Sequence, residues 1–311
     1  MPYRFKRKES IRQGVYRILD EQCRRVVEHL SAPTDRPMHV HAARQGLKRI
    51  RALLRLIRAP LPKSLFAEAN DLCRDAARAV SQTRDADIIL LTFDALAKDF
   101  LPLEAGAMTA VRKLLVQRCA HGPPPLPDDE VSRYFPDLLL LADRIDESRI
   151  PTRAWQTLGE GLRRCYRHGQ AAMRLAYTHP SDEHFHAWRK RVKDRWHQTQ
   201  LLESVWKPIM APTADELKRL SDLLGDDHDL VVLRSLIADE LKDQLGAGLK
   251  DLLLERIADR QTQLRREARR LGQCLYVEKA KRTARRLSAY WKAWKKRRRL
   301  RTPEDALDYS I

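Results

Sequence analysis

The sequence predicts an all-α protein, and three observations carry that prediction. The chain of 311 residues is rich in the good helix formers Ala, Leu, Arg, Glu and Lys and has only 11 glycines. Apolar residues recur at helical spacing along most of its length, and no polar–apolar alternation is long enough for a strand. Hydrophobic residues make up 43% of the sequence, which is enough for the cores of one large or two ordinary domains.

The predicted helices follow one another closely, and one segment interrupts them. Residues 122–130 contain four prolines and three acids, and proline cannot continue a helix. We therefore place a linker at 122–130. It separates an N-terminal bundle half at 1–121 from a C-terminal half at 131–301, which ends in a basic helix and is followed by a tail at 302–311. The predicted helices are 10–30, 38–58, 63–80, 85–98, 104–120, 131–147, 153–177, 183–206, 213–224, 228–244, 248–272 and 275–299.

The two halves share two landmarks in the same order. The pattern His-x-x-Arg-x-x-x-Lys begins at His41 and again at His186. An acidic segment at 81–87 is matched by another at 225–231, at nearly the same offset. This order indicates a duplicated helical unit. Two copies are too few for a solenoid, so we predict two similar antiparallel bundles packed about a pseudo-twofold axis.

Positive charge is unevenly distributed. The chain has 60 Lys and Arg residues against 42 Asp and Glu residues, for a formal charge of +18. The segment 278–301 is densely basic, and Glu278 is its only acid. Elsewhere the signs are nearly balanced, so a basic functional site there requires a local concentration of cations.

The helix predicted at 38–58 carries such a concentration. At about 100° per residue, a histidine and four cations share an arc about 80° wide, opposite the core-facing stripe. The helix contains no Asp or Glu. Because like charges at i,i+4 cost a few tenths of a kcal/mol per pair, an uncompensated arc indicates a polyanionic ligand. The arc consists of His41, Arg44, Lys48, Arg51 and Arg55.

The helix predicted at 183–206 repeats this pattern. Its polar arc lies within about 60° of the first histidine. Asp194 is the only acid at 184–197, and Arg195 falls on the apolar side, where the pattern suggests no partner for it. The arc consists of His186, Arg189, Lys190, Lys193 and His197.

These two signatures resemble those of the CHAD family, the conserved histidine α-helical domain. Residues 41–51 resemble its first signature, and HAWRKRVKDRWH at 186–197 resembles the second. Arg84-Asp85 resembles the Arg-Asp that follows the family's third helix, and the segment from Leu271 resembles its C-terminal end. The resemblance covers about residues 5–298.

The resemblance implies two four-helix bundles around a central basic channel and non-catalytic binding of inorganic polyphosphate. No cofactor is implied. Three residues depart from the family pattern: His197 replaces a tyrosine, Trp196 an arginine, and His228 the arginine matched to Arg84. The implied ligand contacts are His41, Arg44, Lys48, Arg51, Arg55, His186, Arg189, Lys190, Lys193 and His197.

Enzymatic and metal-binding functions fit the sequence less well. Arg167-His168-Gly169 is similar to a phosphatase motif that requires a strand-to-helix turn, but here it lies in a predicted helix. His39 and His41 would point about 200° apart on a helix. The acids at 226–229 suit a helix N-terminus without a metal. We therefore predict a protein that is not an enzyme and has no metal site.

Nucleic-acid binding is the second candidate function. The segment from Lys279 to Arg301 has Trp291 and Trp294 among its cations and could grip a phosphate backbone. Rings at this spacing more often pack in a core. No base-reading motif is present.

The sequence also indicates in which cellular compartment the protein is expected. No apolar run approaches the roughly 18 residues of a membrane span, and the first residues lack the apolar region of a secretory signal. The five cysteines are widely separated, without a Cys-x-x-Cys pair, as in a reducing cytoplasm. We expect a cytoplasmic protein, and the resemblance implies association with polyphosphate granules.

Overall fold

The all-α prediction is confirmed. The computed structural model describes residues 3–32, 36–80, 85–98, 100, 104–120, 128–151, 155–241 and 243–296, and within these ranges the regular structure is entirely helical. The helices are α1 (Ile11–Leu30), α2 (Arg36–Leu56), α3 (Lys63–Ala79), α4 (Asp85–Ala97), α5 (Ala105–Ala120), α6 (Asp128–Ser132), α7 (Phe135–Glu147), α8 (Trp155–Thr178), α9 (Asp182–Leu201), α10 (Lys207–Ser235), α11 (Ala247–Leu275) and α12 (Ala280–Lys296).

Most predicted helices are present, and the structure differs from the prediction in three places. The helices predicted at 213–224 and 228–244 form the single helix α10, which runs on as a π-helix over Leu236–Glu240. The prediction that the acids at 226–229 lie at a helix N-terminus is therefore wrong: they lie inside α10. The helix passes through Gly225 because a glycine inside a helix costs only about 1 kcal/mol. The helix predicted at 183–206 ends at Leu201, and a 3-10 turn at Glu203–Val205 follows.

The third difference is at 131–147, which is divided between α6 and α7. Pro136 lies in the first turn of α7, where a proline is well accommodated because it has no N–H to leave unpaired.

The helices build three main apolar cores among the described residues, and the first two of them combine both halves of the chain. The first core joins α1, α2 and α3 with α7 and with α12 from the C-terminus. The second joins α4 and α5 with parts of α10 and α11. The third lies among α8, α9, α10 and α11.

The segments 1–121 and 131–301 therefore pack into each other rather than as separate units. Helices α4 and α5 lie on the C-terminal helices, whereas α7 and α12 lie on the N-terminal ones. The prolines of the linker fall outside the described residues. The equivalence of the two halves stays a prediction.

Helix α8 crosses the C-terminal end of α2 at very close range. A side chain at Gly161 would overlap the backbone carbonyl of Leu56. Nearby, Gln198 of α9 donates to the carbonyl oxygen of Ala52 across 3.3 Å. These contacts hold α2, α8 and α9 in one rigid group.

This crossing predicts a stability effect. Gly161→Ala should lower the free energy of unfolding by about 1–3 kcal/mol, because the backbones of α2 and α8 must separate to admit a methyl group. Gly106→Ala, in α5 with open space around its Cα, is the matched control and should leave stability unchanged or slightly higher. Urea denaturation measures both. Equal stability of the two variants would contradict the close crossing.

Arg195, left without a partner on the helical wheel, lies inside the third core. Its guanidinium is sandwiched between the rings of Tyr166 and Tyr276, at 4.5 and 4.6 Å from their centroids. It also donates to the carbonyl oxygen of Leu275, near the end of α11, at 2.7 Å. The guanidinium is thus satisfied by rings and a backbone carbonyl rather than by a carboxylate.

Candidate polyanion-binding site

The two signature helices, α2 and α9, lie side by side and bring their basic arcs together. Lys193 of α9 is near Arg189 and near Lys48 of α2. Burial, reinforced by these two positive charges, lowers the pKa of Lys193 to about 7. Lys190, one turn away and exposed, is near Arg51 of α2. We call Lys48, Arg51, Arg189, Lys190 and Lys193 the basic patch.

Arg51 and Lys190 form the more open end of the basic patch. The Arg51 Nε donates to Asn70 at 3.1 Å, which orients the guanidinium from behind. Burial, followed by the charges of Arg191, Arg51 and Arg189, lowers the pKa of Lys190. A lowered lysine pKa next to cations means that an anion bound there would be stabilised by several charges at once.

Arg55 has a different role from the patch cations. Its Nη1 lies 2.8 Å from the Asp194 carboxylate, and its side chain is only 18% exposed. Asp194 is buried and also pairs with Arg191 at 3.2 Å. Arg55 therefore helps to join α2 to α9 through a buried ion pair.

His41 and Arg44 lie on the same arc of α2, before Lys48. Both are partly buried, and both engage neighbouring groups. Arg44 is four residues before Lys48 and so lies about one turn from the basic patch. His41 is three residues before Arg44 and lies about two turns from the patch. The arc predicted for α2 thus leads into the basic patch.

His186 stacks against a histidine of α10. The rings of His186 and His228 are 4.1 Å apart between centroids. Burial, then His228 and the cations of α9, lowers the pKa of His186 to about 4. Both rings are therefore neutral at pH 7, and the helical arc did not anticipate the partner because it lies on another helix.

His197 does not lie on the basic patch. It is 2% exposed, its ring stacks on Trp196 at 4.6 Å, and Nδ1 is 3.1 Å from Gln200. Burial lowers its pKa to about 3. The wheel gave its angle correctly but not its depth, since the N-terminal segment with Tyr3 covers this end of α9.

Helix α10 adds acids that lie outside the two signature helices. Asp222 and Asp229 lie near enough to Lys193 to favour its charged form. Gly225, between them, lets the Arg189 guanidinium lie against the helix, 3.2 Å from where a side chain would begin. The cations of α9 are therefore partly compensated from α10, which explains how they are tolerated in the free protein.

A family model of the CHAD domain matches residues 17–238. The chain belongs to the CHAD domain family. The crystal structure of the CHAD domain from the plant Ricinus communis matches with a TM-score of 0.58 and 15% identity, covering 95% of each chain, and so shares the fold. A search of curated protein sequences gave no match.

The basic C-terminal helix of this CHAD protein packs into the first core. Trp291 and Trp294 are 6% and 7% exposed, and the ammonium of Lys295 lies over both rings. These tryptophans are therefore core residues and are not available as stacking platforms. Residues 297–301 and Arg84 lie outside the described part of the chain.

The motifs considered for enzymes and metals have structural explanations in this CHAD domain. Arg167-His168-Gly169 lies within α8, and Gly169 packs against Tyr276. His39 is paired with His29, with 2.9 Å between their Nδ1 atoms. Among the described residues no group of three metal-ligating side chains is assembled, and none of the described helices is long and apolar enough to cross a membrane.

Proposed function

We propose that the protein binds inorganic polyphosphate along the basic patch. One observation carries the proposal. The signature helices of the two halves lie side by side, so that Lys48 and Arg51 of α2 meet Lys190 and Lys193 of α9. Cations from distant parts of the sequence thereby form one surface.

The physical reason is the repulsion stored in this surface. Like charges in a partly buried place raise the free energy of the empty protein. A chain of phosphates removes that cost at each unit. Arginine supplies forked donors to phosphate oxygens, whereas lysine supplies a mobile point charge.

Polyphosphate fits this surface better than nucleic acid does. Polyphosphate has no bases and needs no aromatic platform, and Trp188, which shares α9 with the basic patch, is fully buried. We propose binding without bond cleavage, because the patch supplies cations and donors that hold phosphate groups in place.

Nonspecific nucleic-acid binding is the second candidate. One observation favours it: several cations on the outer face of α12 are exposed, among them Lys281, Arg282 and Lys292. Such a face could attract a phosphate backbone without reading bases.

Competition distinguishes the two functions. At about 150 mM salt, long-chain polyphosphate should displace labelled single-stranded DNA at a lower charge concentration than unlabelled DNA does. With the five cations of the basic patch engaged, the slope of log affinity against log salt should be about −3.5, using the single-strand factor. Equal competition by DNA, or a slope shallower than about −2, would contradict the proposal.

A further inference from the structure

A second group of cations lies beside the basic patch, on α8, just beyond the end of α2 and in the middle of α9. Three of its members, Arg58, Arg167 and His168, are exposed. Arg164 and Arg191 are partly buried between them. We call these five residues the α8 patch. It includes Arg167 and His168 of the phosphatase-like motif, which the proposed site does not use.

The crossing of α8 over α2 creates this group. The Arg164 Nη2 donates to the carbonyl oxygen of Arg55 at 2.5 Å, and Gly161 touches Leu56. Arg58 follows directly after these residues, beyond the end of α2. Arg164 therefore has a structural role, since it satisfies a carbonyl at a helix C-terminus.

The cations of the α8 patch lie close enough together to affect the pKa of His168. Burial is the first cause that lowers the pKa of His168, and the charges of Arg191, Arg167, Arg164 and Arg58 all act in the same direction. The nearby acids are already engaged. Glu160 is paired with Arg163 and also lies near Arg164 and Arg167, and Asp194 is buried against Arg55 and Arg191. The four arginines of the patch outnumber these two acids. The surface of the α8 patch is therefore positive.

Arg191 connects the two patches. It is next to Lys190 in sequence, and its charge acts on Lys190 as well as on His168. A positive surface thus continues from α2 and α9 onto α8. A short anion could occupy the basic patch alone, whereas a long chain leaving it at Lys190 would pass onto the α8 patch.

We propose that the α8 patch is a second anion-binding stretch, which holds the continuation of a long polyphosphate chain whose first part lies on the basic patch. This inference rests on the proposed function. Arg58, Arg167 and His168 are the contacts, and Arg191 links the two stretches. The consequence is a preference for long chains over short ones.

The test is the double variant Arg58→Gln/Arg167→Gln, which removes two exposed charges and leaves Arg164 in place. For long-chain polyphosphate we expect an affinity loss of about tenfold near 150 mM salt, and a salt slope shallower by about 1.4. For inorganic tripolyphosphate we expect little change. The matched control, Lys281→Gln/Arg282→Gln on α12, should behave as the unaltered protein with both ligands.

Each other outcome has a distinct meaning. Unchanged long-chain affinity and slope, or an equal loss for tripolyphosphate, would overturn the second stretch while leaving the basic patch in place. If the unaltered protein fails to prefer polyphosphate over DNA, the proposed function itself is wrong. Matching circular dichroism spectra and thermal unfolding establish that the variants are folded.

Discussion

Arg44→Glu and Lys190→Glu are each expected to weaken polyphosphate binding by at least about tenfold. A hydrogen bond to a charged group contributes about 1.5–3 kcal/mol, and each 1.4 kcal/mol is a factor of ten. Charge reversal also adds repulsion toward the ligand. The two positions lie on different signature helices. Lys190 is preferred to Arg189 because the Arg189 guanidinium packs against Gly225 and its loss would disturb the fold.

The double variant distinguishes one shared surface from two separate sites. If both residues contact the same chain, the double loss should fall short of the product of the single losses, because the first reversal already frees part of the ligand. Lys281→Glu, exposed on α12, is the matched control and should have little effect. Isothermal titration calorimetry measures the affinities. A control as damaging as Arg44→Glu would show that overall charge, rather than the basic arcs of α2 and α9, governs binding.

The helical wheel predicted the direction of the site residues but not their depth. Lys48 and Lys190 lie on the predicted arcs and belong to the basic patch. Arg55 and His197 lie on the same arcs but are enclosed, one by Asp194 and the other by Trp196 and the N-terminal segment. Depth depends on which other elements cover an arc, and a wheel contains only one element.

Contacts between distant segments were likewise beyond the sequence pattern. Helical spacing predicted the helices because each apolar stripe is local. The stacking of His186 on His228, the acids of α10 near Lys193 and the packing of α12 onto the N-terminal helices depend on the tertiary arrangement. The CHAD resemblance conveyed the fold, yet it could not show that α10 continues through its acidic segment.

The affinity for long-chain polyphosphate is expected to rise as pH falls, in two separate windows. In the free protein the pKa of Lys193 is about 7 and that of His186 about 4. Bound phosphates favour the protonated form of both groups and raise both values, so binding takes up protons. Protonation of Lys193 raises the affinity as the pH falls from the pKa of Lys193 in the complex to its pKa of about 7 in the free protein. Below that pH the contribution of Lys193 is constant. Protonation of His186, whose pKa in the free protein is about 4, raises the affinity in the lower window. His228, whose pKa is also lowered, contributes to the same window.

Two sets of substitutions separate these windows. Lys193→Arg should remove the upper one, because a guanidinium stays charged throughout this range. His186→Gln combined with His228→Gln should reduce the lower one to the part that belongs to His168 of the α8 patch, whose pKa is also lowered, and leave the upper intact. Calorimetry in buffers of different ionisation enthalpy counts the protons taken up, with Lys281→Arg as the control. If Lys193→Arg still takes up a proton near pH 8, the patch lysine is not the titrating group, and its lowered pKa does not contribute to ligand binding.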